Sequence, residues 1–168
     1  IVLSSLRFDN LLISTNKVMF DKRYNVFNPS IGVNYDLKNN QYLFMNFSTS
    51  FETPTMSELS ANPTGDEGFN INLNPSKAQN HEVGWKLYKP KFLFEVTAFY
   101  INSTNEVLPY ELEEFPGRSF YKNAGSNLRR GFEVFAQLNW KVFKFTGSYS
   151  FAKYTFKYIE DNQESKLL

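Results

Sequence analysis

His81 is the single histidine of this 168-residue chain, and Glu82 follows it. That pair opens the zinc-protease motif, in which a second histidine four residues on completes the metal site and the glutamate serves as base. Four residues on from His81 stands Trp85. No metal site is therefore expected. Glu52, Glu82, Glu95 and Glu133 fall, with Lys86, on one face of alternating segments. Acid–base catalysis would need a close, perturbed carboxylate pair beside a substrate pocket, whereas carboxylates lining a wet wall need only water or a basic neighbour. Arg129-Arg130 ahead of Gly131 carries the charge of an anion site, and equally that of a solvated rim. The chain has no cysteine, which excludes disulfides, thiolate zinc sites and cysteine nucleophiles together. With 18 Lys and Arg against 17 Asp and Glu, it lacks the basic surface that holds a nucleic acid. Neither catalysis nor a cofactor is expected.

The elements that must carry these residues read as strands. Aromatic residues make up 18% of the chain, with 18 Phe and 10 Tyr, yet the mean hydropathy is −0.43. Apolar and polar residues are thus interleaved, as strand alternation requires. Strands are expected at Ile1–Phe8, Val26–Leu37, Gln41–Glu52, Lys77–Tyr88, Lys91–Val107, Phe120–Trp140 and Phe143–Phe156, and no helix is expected. The joins Lys38–Asn40, Lys89–Pro90 and Lys141–Val142 are short enough to enforce antiparallel hairpins. Asp9–Asn25, Thr53–Ser76 and Leu108–Ser119 are longer and carry the Pro, Gly and Asn of loops. Turns short at one end and long at the other match bacterial outer-membrane barrels.

Pairing the hairpins tests that pattern, because a one-residue slip would turn every side chain to the other face. Folding at Lys141–Val142 sets Trp140, Leu138, Ala136, Val134 and Phe132 against Phe143, Phe145, Gly147, Tyr149 and Phe151, all on one face. Folding at Lys89–Pro90 sets Leu87, Trp85 and Val83 against Phe92, Phe94 and Val96, with Lys86 and Glu95 close on the opposite face. No stretch approaches the roughly 20 apolar residues of a spanning helix, so a membrane role must use a barrel. A soluble, carbohydrate-binding β-sandwich would alternate similarly, but Lys91–Val107 and Phe120–Trp140 far exceed the usual five or six residues of globular strands, by about threefold. A smaller complete barrel of about eight strands, a porin or adhesin, is the other alternative. Trp85, Trp140 and Phe143 are expected to point outward in an interfacial aromatic belt.

Several segments in order resemble the barrel of TonB-dependent receptors. They are Pro29-Ser30-Ile31-Gly32-Val33-Asn34-Tyr35, then Phe47-Ser48-Thr49-Ser50-Phe51-Glu52-Thr53-Pro54-Thr55, then Asn74-Pro75 through Glu82-Val83-Gly84-Trp85-Lys86. Ala98-Phe99-Tyr100, Asn123-Ala124-Gly125 and Gly131-Phe132-Glu133 follow. Ser76 stands where the family often has glutamate, and His81 where it usually has an aromatic. The resemblance implies an all-β, antiparallel transmembrane barrel meander, partial and open, with about seven of the 22 strands that close such a transporter. It implies the bacterial outer membrane, contact with outer-membrane lipid, a separate plug domain, coupling to the TonB protein, and uptake of a bulky nutrient such as a ferric siderophore. The plug domain and the closing strand are expected to lie outside residues 1–168, since the polar stretch 160–166 lacks a closing strand's terminal aromatic. Glu52, Glu82, Lys86, Glu95 and Glu133 would then face the lumen and the plug. Phe69, Tyr110, Phe115 and Arg118, in the long loops, are of types that grip ring-bearing or anionic ligands.

Overall fold

The computed structural model describes residues 1–15, 20–64, 69–160 and 163–167. Among them are eight strands: β1 Val2–Thr15, β2 Phe20–Lys38, β3 Gln41–Glu52, β4 Ser76–Lys89, β5 Phe92–Glu111, β6 Ser119–Trp140, β7 Phe143–Glu160 and β8 Gln163–Leu167. They form one antiparallel sheet in sequence order, β1 and β8 at its two edges. A sandwich would need a second sheet, and none is present among the described residues. The sheet does not close on itself.

The hairpins at the short-turn end close on residues suited to them. Lys38, Asn39 and Asn40 all take positive φ between β2 and β3, as does Lys141 between β6 and β7. Asparagine tolerates this left-handed region better than most residues. The β6–β7 register is the expected one throughout, from Trp140↔Phe143 to Phe132↔Phe151. At the β4–β5 hairpin the expected register is corrected by two residues, because pairing runs on to Lys89↔Phe92 and leaves only Pro90-Lys91 in the turn. A shift of two keeps every side chain on its face. It also sets Lys86 directly opposite Glu95.

Three boundaries differ more. Asp9–Asn25, expected as a loop, is strand through Thr15↔Phe20. Its upper rungs are held by an Asn10 to Asn25 side-chain hydrogen bond of 2.6 Å and by burial of Tyr24 and Val26. The polar end, read as strandless, supplies β8. A short helix, α1 Met56–Ser60, stands in the β3–β4 loop behind a complete capping box: Thr55 accepts from the Glu58 backbone, and the Glu58 side chain accepts from the Thr55 backbone. Thr-x-x-Glu is a capping signature in the sequence itself.

Following one rung across the sheet separates its faces. Asn34, Phe44, Gly84, Thr97, Glu133 and Ser150 share a rung and a face. Tyr35, Leu43, Trp85, Val96, Val134 and Tyr149 share the adjoining rung on the opposite face. The first face is concave, for residues from β1 to β6, Leu3 and Glu133 among them, surround one hollow of about 800 Å³. The second is a convex apolar band that leaves Trp140 56%, Phe143 58% and Tyr149 60% exposed. Trp140, Phe143 and Trp85 lie on it, as expected. Between Phe132 and Trp140 the band rises about 26 Å along the strand. At a tilt of about 40° that gives about 20 Å of height, most of an apolar belt about 25 Å tall.

The buried apolar cluster sits at the long-loop end and not behind the band. Leu59, Phe69 and Leu73 form it, with Ile13, Val107 and Tyr121 packed against them.

Candidate ligand path along the concave face

Glycine opposite aromatic builds the floor of the hollow. Gly84 and Phe44 share a rung between β3 and β4. A methyl added to Gly84 would run into the Phe44 ring and come within 2.8 Å of the Val96 carbonyl. Phe99 likewise lies against Gly131, with its Cζ 2.8 Å from where a Cβ would stand. Each ring fills the space left by the glycine on the strand beside it, with a cation over the ring. Lys86 Nζ stands 4.7 Å from the Phe44 centroid, and the Arg129 guanidinium lies 5.2 Å from Phe99 and 5.3 Å from Tyr154.

All five residues expected on this face are on it. Lys86 pairs with Glu95 at 3.1 Å, both about one-third exposed. Glu82 accepts a hydrogen bond from Asn46 Nδ2 at 3.3 Å, and Glu133 one from Ser150 Oγ at 3.3 Å. Glu52 stands apart at the upper end of β3, opposite Ser76. The three carboxylates around the hollow thus outnumber its one paired ammonium. None of them sits in an enclosed site of the kind that acid–base chemistry uses.

Above the floor, the β3–β4 loop folds onto the same face. Lys22 donates to the Ile71 and Leu73 carbonyls, and Tyr24 Oη to Leu73 at 3.3 Å. Burial pushes the Lys22 ammonium below its ordinary pKa and the Tyr24 phenol above. Asn123 is the second anchor: its Nδ2 donates to the carbonyls of Asn74 at 2.8 Å and Asn105 at 2.7 Å, while its Oδ1 accepts from the Asn74 backbone at 2.7 Å. Asn105, at positive φ, marks the bulge where the β5–β6 register shifts.

Of the four loop residues singled out from sequence, the structure brings three together. Tyr110, Phe115 and Arg118 surround Phe120, with ring separations of 6.1 and 5.8 Å and the guanidinium 5.0 Å from its centroid. Arg118 is exposed, and Phe120 beneath is fully buried. Phe69 is apart from them, 8% exposed inside the loop's own cluster. Tyr110 also borders a rim hollow of about 450 Å³ walled by Asn70, Asn72, Asn105, Asn123 and Tyr121. Sequence reading missed these amides, and it singled out Arg129 without its clamp between Phe99 and Tyr154. Glycines at 84 and 131 in otherwise aromatic-rich strands were the available signal.

One family model covers this arrangement almost end to end: the TonB dependent receptor-like β-barrel matches residues 2–167. The chain belongs to that family. Solved structures share its fold. The FrpB iron transporter from Neisseria meningitidis (F3-3 variant) superposes with a TM-score of 0.73 at 18% identity, over 92% of this chain and 23% of that one. The apoprotein form of the F5-1 variant also gives 0.73, at 15% identity over 99% and 25% of the two chains. The copper transporter OprC gives 0.67 at 13% identity, over 97% and 31%. The chain therefore spans about a quarter of the FrpB length. Membership places the chain in the bacterial outer membrane. The barrels it matches are transporters and not enzymes.

Proposed function

We propose that this chain is part of the barrel of a receptor that takes up a bulky, metal-bearing nutrient across the outer membrane with energy supplied through the TonB protein, the nutrient being a ferric siderophore. The observation that carries the proposal is the family match over residues 2–167. The geometry is compatible with it. Arg118 and the rings of Tyr110 and Phe115 stand at the loop end, with the amide-walled hollow beside them. Cation and aromatic groups of this kind hold anionic, ring-bearing chelates. Below, Glu82 and Glu133 have neutral hydrogen-bond partners, and with Glu52, Lys86 and Glu95 they form the wall against which a plug domain would rest. Iron and copper transport by the similar barrels favours a metal-bearing cargo.

The test is uptake of radiolabelled iron by cells whose only receptor of this type is the full-length protein. The iron is offered as ferric catecholate, as ferric hydroxamate or as the free ion, with free copper as a fourth arm. Uptake of one chelate, lost without TonB and reduced several-fold by Arg118→Ala with Phe115→Ala, supports the proposal. Uptake of the free ions alone, or transport indifferent to TonB, would overturn it.

A further inference from the structure

The convex face changes character abruptly above the apolar band. Ala98, Phe132 and Phe151 share one outward rung, and on the next toward the loops stand Tyr100, Arg130 and Lys153. Arg130 and Lys153 are direct partners on neighbouring strands, so their Cβ atoms lie about 5 Å apart on the same face. Both are exposed. Like charges directly opposite are unfavourable, and the surrounding face does nothing to relieve them. Its outward positions on this rung and the two above, from β4 to β7, are Lys77, Gln79, His81, Tyr100, Asn102, Thr104, Ser126, Leu128, Arg130, Lys153, Thr155 and Lys157. Four are lysine or arginine and none is a carboxylate. The concave face at neighbouring levels is mixed, with Glu82, Glu95 and Glu133 beside Lys86 and Arg129.

We propose that Arg130 and Lys153, set at the upper edge of the apolar band, bind a phosphorylated head group of the outer-leaflet lipid, with Lys77 and Lys157 extending the cationic surface around it. The position selects the partner. The long loops mark the extracellular end, so this edge meets the outer-leaflet head groups. Arg130 offers a bidentate fork to a phosphate and Lys153 a compact charge beside it. The Tyr100, Phe132 and Phe151 rings adjoin the start of the acyl chains, and the aliphatic stems of the two basic residues lie along that apolar margin. Charge complementarity also accounts for the unfavourable pairing, since one phosphate between the two cations turns repulsion into a shared attraction. Arg129, the next residue, points to the other face and takes no part.

The experiment uses the full-length receptor in mixed micelles and native mass spectrometry to count lipid retained per barrel. The probes are diphosphoryl lipid A, its dephosphorylated form and inorganic phosphate. Folding is checked by the heat-dependent gel shift of intact barrels. Arg130→Gln with Lys153→Gln should lower retention of diphosphoryl lipid A roughly tenfold or more, the scale of two basic residues at an anionic surface. The exchange Arg130→Lys with Lys153→Arg should retain it, as should the short-turn-end control Lys91→Gln with Lys144→Gln. Wild-type protein should hold the dephosphorylated form several-fold less, and inorganic phosphate should not displace the lipid. Equal retention by the glutamine variant, or equal retention of both lipids by wild type, overturns the proposal and leaves the two residues as solvated rim charges. Displacement by phosphate overturns it in favour of a soluble anion. Should the glutamine variant not fold, the wild-type comparison of the two lipids decides alone. None of these outcomes depends on which nutrient the receptor carries.

Discussion

The ring of Phe44 lies across Gly84 on the next strand, in space that any side chain at position 84 would fill. Gly84→Ala should therefore destabilise the receptor by about 1–3 kcal/mol, the usual cost of overpacking a filled site. Adding Phe44→Ala should return part of that loss, and the Val96 carbonyl should prevent full recovery. Gly147 is the contrast, since nothing lies within 4 Å of its would-be Cβ on the convex face. Gly147→Ala should be close to neutral. Urea unfolding of the full-length protein in lipid measures all three.

Ala136 and Gln137 are adjacent in β6 and face opposite ways, one centred in the band between Phe132 and Trp140 and the other in the lumen. Arginine at Ala136 should cost about 2–4 kcal/mol if the site lies at the bilayer midplane. Arginine at Gln137 should cost far less, because water reaches it. The difference between the two unfolding free energies is the quantity to compare.

Asn123 ties β6 to the β3–β4 loop through two hydrogen bonds to Asn74, and to β5 through a third to Asn105. Asn123→Ala should loosen residues near Asn74 by about 1–3 kcal/mol, the net worth of two such bonds. Hydrogen exchange should show faster exchange at Asn74 with little change in the barrel's own thermal midpoint. Unchanged exchange there would mean that Lys22 and the Leu59, Phe69 and Leu73 cluster anchor the loop unaided.

Lys86 and Glu95 are each about one-third exposed to the wet lumen. A double-mutant cycle with Lys86→Met and Glu95→Gln should give a coupling of only about 0.2–1 kcal/mol. A much larger value would mean that the pair is sealed from water in the assembled receptor.

The strands were legible in the sequence because their side chains must alternate between lipid and water, a constraint that acts locally on each residue. The β6–β7 register followed from matching Trp140 through Phe132 to Phe143 through Phe151. The β4–β5 register missed by two because Lys89-Pro90 carries no residue that fixes a turn, and a slip of two leaves the faces intact. The upper parts of β1 and β2 were hidden because the run Leu11-Leu12-Ile13 breaks the alternation between Asp9 and Asn25, and the asparagines there read as loop. What holds this stretch in strand is tertiary: burial of Tyr24 and Val26 under a loop some 50 residues away in sequence. That Glu52, Glu82, Glu95 and Glu133 share the concave face followed from alternation, whereas the grouping of Tyr110, Phe115 and Arg118 on Phe120 depends on a loop path that no local pattern encodes.

The central claim is that this chain forms barrel wall, with even-numbered residues of β6 in lipid and odd-numbered ones in the lumen. The chain has no cysteine of its own, so in a full-length receptor cleared of any cysteine elsewhere, single cysteines from position 132 to 140 will each carry one spin label. In lipid vesicles, collision rates with dissolved oxygen and with a water-soluble nickel chelate should alternate with period two. Oxygen should be favoured at 132, 134, 136, 138 and 140, and the chelate at 133, 135, 137 and 139. Rates without alternation, or an alternation of the opposite phase, would contradict the account.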